Sequence, residues 1–264
     1  MSLISPDTYV LITGASSGIG AGFAREFAKR GYSLVLTARR EERLLALRQE
    51  LAANGKVKVQ IVAADLNAND GPRRIFETCE REGWRVGGLI NNAGLGVNKS
   101  FLKLDEAQIH SMLQVNLVNL VELSRLFLPS MTHAKKGFVL NIASTAGFQP
   151  VPYFSVYAAT KCFVVSFSEG LYEELKPQGV LVSCLCPGPT ETEFQQVAGM
   201  SPRFFARSQS VDEIIDKGMR ALERGKAVEW SSFFQRFSST MSEILPRFIR
   251  RKAAAILMLK CGAE

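Results

Sequence analysis

Tyr157 and Lys161 stand four positions apart, a spacing that brings both side chains onto one face of a helix, one turn from each other. A free phenol titrates near pH 10 and is a poor acid or base at neutral pH; an adjacent ammonium favours the phenolate and draws that value down. A tyrosine so placed can give a proton to a carbonyl oxygen that gains hydride, or take one from an alcohol that loses it. Ser144 follows an apolar run, 137–142, and its hydroxyl suits a hydrogen bond to the same oxygen from the opposite side. Isolated Tyr-x-x-x-Lys pairs are commonly structural, so the weight of this one depends on the elements that carry it.

Those elements begin at Tyr9-Val10-Leu11-Ile12, an apolar run followed by Thr13-Gly14-Ala15-Ser16-Ser17-Gly18-Ile19-Gly20 and a helical pattern from Ile19. This reads as strand, glycine turn and helix start. The glycines let phosphates approach the main chain, and the first helical amides point at negative charge, which suits a dinucleotide. The spacing is Gly-x-x-x-Gly-x-Gly rather than Gly-x-Gly-x-x-Gly, and packing alone can also produce such turns. A second strand, 32–38, ends in Arg39-Arg40. In a parallel sheet that end lies beside the adenosine ribose, where guanidinium groups match a 2′-phosphate, so NADP(H) is expected over NAD. The alternative is two solvated arginines ahead of the helix that starts at Glu41.

The chain continues as helix 41–53, strand 57–63 ending in Asp65-Leu66, and helix 71–82. The Asp65 carboxylate is placed to accept from an adenine amino group or to cap the next helix. A short buried strand, 87–90, closes in Asn91-Asn92-Ala93-Gly94, whose small and amide residues again suit a backbone close to a ligand. The spacing predicts one long helix from 105 to about 131, ended at or just after Pro129, with Asn116 inside it. Strand 137–142, a connector at 147–152 and a helix over 155–175 follow, then a helix over 211–224 and a last strand near 227–228. Apolar runs alternating with helical patterns predict an α/β, doubly wound parallel sheet with helices on both faces.

The 264 residues fit a single domain. No uncharged apolar run reaches the roughly 18 residues of a membrane span, and no secretory signal is visible. The net charge of +7 suits an anionic ligand or surface, but no basic block interleaved with aromatics occurs in the first two thirds, which argues against nucleic acid. Five cysteines without Cys-x-x-Cys spacing point to reduced thiols and a cytoplasmic protein, with Cys184 and Cys186 on one side of a strand. Two histidines make a histidine-built metal site improbable, and no metal is expected.

With these residues in order, the chain resembles the short-chain dehydrogenases/reductases over nearly all of residues 8–228, through the 13–20 turn, Asn91-Asn92-Ala93-Gly94, Asn116, Ser144 with Tyr157 and Lys161, and Pro187-Gly188-Pro189-Thr190-Glu191-Thr192. The resemblance implies a Rossmann-type catalytic domain over 1–229. It assigns Tyr157 as acid–base, Lys161 to the nicotinamide ribose and to lowering the tyrosine pKa, Ser144 to the substrate oxygen and Asn116 to a water in a proton relay. For the cofactor it implies Gly14, Ser16, Ser17, Gly18, Ile19, Gly20, Arg39, Arg40, Asp65, Leu66, Asn92, Ala93, Gly94, Pro187, Gly188, Thr190 and Thr192. Homodimers or homotetramers through the two long helices are common in the family.

Residues of about 190–210, with Phe194, Met200, Phe204 and Phe205, match the family's substrate lid, and their bulk suggests an apolar carbonyl or alcohol substrate. The 230–264 extension is basic and amphipathic, of a character similar to the DltE-like, ketoacyl-reductase-like branch. It is expected to pack on the body or on a subunit; the rival is contact with an anionic membrane, as in a surface lipid or acyl ketoreductase. A further rival is an NADPH-binding sensor or scaffold that uses this tail.

Overall fold

A computed structural model describes residues 2–53, 57–200 and 208–260. Seven strands form one parallel sheet: β1 (Tyr9–Thr13), β2 (Ser33–Ala38), β3 (Val59–Ala63), β4 (Val86–Asn91), β5 (Gly137–Ile142), β6 (Val180–Cys186) and β7 (Val228–Trp230). Their spatial order is β3-β2-β1-β4-β5-β6-β7. The chain therefore winds outward from β1, then returns to β1's other side with β4, leaving a crevice at the carboxyl ends of those two strands. Alternation sets the two cores. In β1, Val10 and Ile12 pack with Phe23 and Phe27 of α1 (Gly18–Lys29). Tyr9 and Leu11 face the opposite side, with Ile75 of α3 (Gly71–Arg81) and Phe127. The doubly wound sheet expected from the sequence is thus present.

The expected long helix at 105–131 is instead three pieces: α4 (Glu106–Leu113), a widened π-type turn at Gln114–Val118, and α5 (Asn119–His133). A π turn leaves a carbonyl without its usual partner, and here Asn119 Nδ2 donates to the Gln114 carbonyl at 2.7 Å. Pro129 does not end α5. Its missing N–H costs one hydrogen bond near the end of the helix, and the hydroxyls of Ser130 and Thr132 donate to the carbonyls of Phe127 and Pro129 at 2.9 and 3.0 Å. Between β2 and β3 runs α2 (Glu41–Ala52), and α6 (Ser155–Leu175) follows β5.

After β6 come a short α7 (Phe194–Val197), α8 (Val211–Arg224), and then α9 (Phe233–Ile244) and α10 (Arg247–Lys260) beyond β7. Of the residues expected in the lid, Phe204 and Phe205 lie outside the described residues, as does Cys261. The expectation that the extension packs away its apolar residues holds only in part. Ala254 and Met258 of α10 are buried, whereas Phe233 is 83% exposed and Phe234 76%. The Cys184 and Cys186 thiols lie on one side of β6, 3.8 Å apart, as alternation requires.

Candidate active site

At the crevice, Gly14 turns with φ +63°, and a Cβ there would stand 2.9 Å from Asn92 Nδ2. No other residue would leave the main chain as close to the β4 end. Asn92 holds the junction by donating from Nδ2 to the Thr13 carbonyl at 2.8 Å, while the Thr13 hydroxyl accepts from the amides of Asn92 and Ala93, each at 2.9 Å. The 13–20 turn and the 91–94 segment are therefore one structural unit, with Gly18 against Thr192 of the lid root. A cleft of about 840 Å³ lined by Ser17, Gly18, Thr192 and Glu193 opens beside the turn.

The two arginines after β2 part company. Arg40 donates to the hydroxyls of Ser16 and Ser17 at 3.2 and 3.3 Å and to Glu193 at 3.0 Å; Arg43 takes the other Glu193 oxygen at 2.6 Å. Hydrogen bonds from Arg43 and Arg40 hold the Glu193 carboxyl below its usual range. Arg39 is exposed beside them. Asp65 does not cap α3, whose N-cap is Asp70; its carboxylate accepts from the Asn67 amide at 2.9 Å. Leu66 is buried next to it. The 187–192 segment is also tightly held: Pro187 accepts from the Thr145 amide at 2.9 Å, Gly188 donates to the Ser231 hydroxyl at 3.1 Å, and the Thr190 carbonyl accepts from Gln195 Nε2 at 2.7 Å.

Ser144 caps a short 3-10 turn at the end of β5, accepting from the Ala146 amide at 3.1 Å, and its hydroxyl also hydrogen-bonds Tyr157. The link into α6 turns sharply at Tyr153, a non-glycine residue with φ 62°. One turn after Tyr157 in α6, Lys161 points into the interior and donates to the Ile142 carbonyl at 2.8 Å, its nitrogen 5.7 Å from the Tyr157 ring centre. Asn116, 1% exposed, uses both ends of its amide: Oδ1 accepts from the Leu95 amide at 2.9 Å, and Nδ2 donates to the Leu95 carbonyl at 2.9 Å and the Thr160 hydroxyl at 3.0 Å. Asn116 Oδ1 and Lys161 Nζ each lie 3.4 Å from where a Cβ on Gly94 would stand, so the glycine keeps both polar atoms open to one small space.

Burial corrects one expectation. It pushes the Tyr157 phenol up to about 12 against a lowering hydrogen bond from Ser144, and draws Lys161 down to about 8. The ammonium was expected to lower the phenol; in this geometry it bonds to a carbonyl, and loss of hydration dominates both groups. Aromatic rings flank the buried phenol. Tyr157 stacks on Phe154 at 4.3 Å between ring centres, and Phe194 of α7 lies 5.5 Å away. Met112, Val151 and Met258 complete the same cluster. Met258, from the far end of the chain, gives no signal in the local sequence; Phe194 is marked only by following Thr192 closely.

The model for short chain dehydrogenases matches residues 8–201. The chain belongs to the short-chain dehydrogenase family. Within it, the chain is 32% identical over 195 residues to very-long-chain 3-oxoacyl-CoA reductase-B of Danio rerio, covering 72% of this chain and 61% of that protein. It therefore spans about three fifths of that relative's length. Sulfoacetaldehyde reductase of Chromohalobacter salexigens is 41% identical over 190 residues, covering 71% of this chain and 74% of that protein. Among solved structures, a short-chain dehydrogenase from Sphingobium yanoikuyae in complex with NADPH superposes with a TM-score of 0.82 at 36% identity, over 88% of this chain and 92% of that one. Its family likeness covers the dehydrogenase body; the two C-terminal helices lie beyond the matched residues 8–201.

Proposed function

We propose that this short-chain dehydrogenase is an NADP(H)-dependent oxidoreductase that acts on an apolar ketone or aldehyde, with reduction as its working direction. The observation that carries the reading is the phenol of Tyr157, hydrogen-bonded by Ser144 and flanked by the rings of Phe154 and Phe194, in a buried cluster that also holds Met258. Bound in the crevice, the nicotinamide would supply the hydride. The residues present fit such a group: the Gly14 cradle has no room for a Cβ, and Arg40 with Ser16 and Ser17 gathers donors where a 2′-phosphate belongs. Ser144 orients the substrate oxygen. Tyr157, protonated at neutral pH, gives that oxygen its proton, which is the form reduction needs. Lys161 replaces the proton through water held in the space beside Gly94 and Asn116. Asp65 and Leu66 border the adenine side.

The relatives' names span a long acyl thioester and a small sulfonate, so the family does not set the substrate. The lining of this site favours the apolar end of that range. The long-helix face that carries Leu113, Val118 and Phe163, each about two fifths exposed, is the surface for a homodimer or homotetramer. Calorimetry of NADPH against NADH tests the cofactor half of the reading. Wild type should prefer NADPH, and Arg40→Ala should weaken NADPH by roughly 10- to 100-fold, the loss expected for a charge-assisted hydrogen bond, with NADH little changed. Arg39→Ala should do less. An equal affinity for both nucleotides in wild type would sink the 2′-phosphate assignment.

A further inference from the structure

The amphipathicity of α9 is inverted. Its inner side is polar: Ser231 just before it and Ser239 within it are buried, and Gln235 sits between them against Gly188. Its outer side is apolar, with Phe233, Phe237 and Met241 four residues apart along one stripe and Phe234 beside them, exposed by 83, 56, 37 and 76% in that order. A helix that packs on its own protein alone places its apolar stripe inward. In α10 the inner side is Ala254 and Met258, while Phe248, Ile249, Ile256 and Leu259 are exposed, again with basic residues beside them in Arg251 and Lys252. Arg236 lies over the Trp230 ring at 5.8 Å.

Charge decides the occupant. Residues 231–260 contain six Lys or Arg and one acidic residue, and so carry five of the chain's seven net positive charges. A second copy of the same face would meet like charge with like. An anionic surface that also accepts aromatic rings is complementary to both features. We propose that α9 and α10 dock this protein onto an anionic phospholipid bilayer, the rings entering the acyl boundary and the basic groups meeting the headgroups. No helix among the described residues is long and apolar enough to cross a membrane, so the contact is with the surface. Docking places α10, whose inner face carries Met258 in the Tyr157 cluster, between the bilayer and the site. The proposal does not depend on the activity reading above, since vesicle binding can be measured without substrate or turnover.

The test is co-sedimentation of the full chain with vesicles of phosphatidylcholine alone or mixed with phosphatidylglycerol. Wild type should pellet with the mixed vesicles, and partition should fall by roughly ten-fold between about 0.05 and 0.5 M salt as the charges are screened. The F233S/F237S variant should lose about ten-fold or more in partition while keeping NADPH-binding fluorescence and its helical circular dichroism. R251Q/K252Q, which leaves the rings in place, should lose binding to the mixed vesicles selectively and decides the matter if the first variant misfolds. Wild type that stays in the supernatant with the anionic vesicles overturns the proposal. So does a wild-type oligomer that F233S/F237S converts to monomer without any vesicle binding, which would assign the face to a second copy.

Discussion

At the scale of single residues the site is governed by dehydration. Tyr157 keeps its proton to about 12, and Lys161 carries its charge only below about 8. Replacing Tyr157 by Phe keeps the ring between Phe154 and Phe194 and removes only the hydroxyl; turnover should fall by roughly 10²- to 10⁴-fold while NADPH affinity stays within about two-fold. Steady-state NADPH oxidation alongside calorimetry would show this. Burial of Lys161 also links stability to pH. Between about 8 and its ordinary 10.5, the unfolded chain holds a proton that the folded chain has released, so unfolding free energy should rise with pH across that window. Tyr157 contributes with the opposite sign above the ordinary 10.0 of tyrosine, because in the fold it retains its proton up to about 12, so the net slope turns downward once pH passes the ordinary 10.5 of lysine. Urea melts of cofactor-free protein at a series of pH values should show the rise, and Lys161→Met should flatten it.

At the scale of elements, the sheet and its helices are tied by buried amides. Asn141 on β5 accepts from Asn91 Nδ2 on β4 at 2.9 Å and donates to the Ser168 hydroxyl on α6 at 2.9 Å, and Asn91 also donates to Ser124 of α5 at 3.2 Å. This line ties β4 and β5 to α5 and α6. Asn141→Ala would leave the Asn91 amide short of a partner in a dry interior, at a cost of about 2–3 kcal/mol. Chemical denaturation should show a shifted midpoint with an unchanged slope; a shift below about 0.5 kcal/mol would mean the network relaxes around the gap. The π turn before α5 belongs to the same scale, since it turns Asn116 inward to hold Leu95 against α6.

At the scale of the molecule, the candidate site is assembled from segments distant in sequence, and the apolar cluster that walls it includes Met258 of α10. Met258, 2% exposed, shares one cluster with Tyr157, Phe154 and Phe194. Met258→Ala should open that wall. For a medium-chain apolar ketone we expect KM to rise by roughly ten-fold with kcat nearly unchanged, since the lost contact serves ground and transition states alike. A parallel loss of kcat would show that α10 positions Tyr157 itself. Phe194 and Met258 thus meet in one cluster although they lie at opposite ends of the C-terminal third.

What the sequence determined by itself is local or periodic in origin. The parallel sheet, the glycine turn after β1, the strand end at Ser144 and the four-residue step from Tyr157 to Lys161 follow from alternation, turn chemistry and helical pitch, all written within a few residues. Strand β5 and helices α6 and α8 fall on their expected bounds for that reason. Tertiary structure decided whatever depends on what lies across space. Helical pitch cannot announce a π turn, which exists because Asn119 bonds back to Gln114 and Asn116 reaches Leu95. Spacing put an ammonium beside the phenol, but only packing determines whether water remains to support either charge. Sequence offered Arg39 and Arg40 alike, and the fold turned one over the glycine turn to Glu193 and left the other exposed. Nothing around Met258 marks it for the buried cluster that it shares with Tyr157; only the packing of α10 places it there.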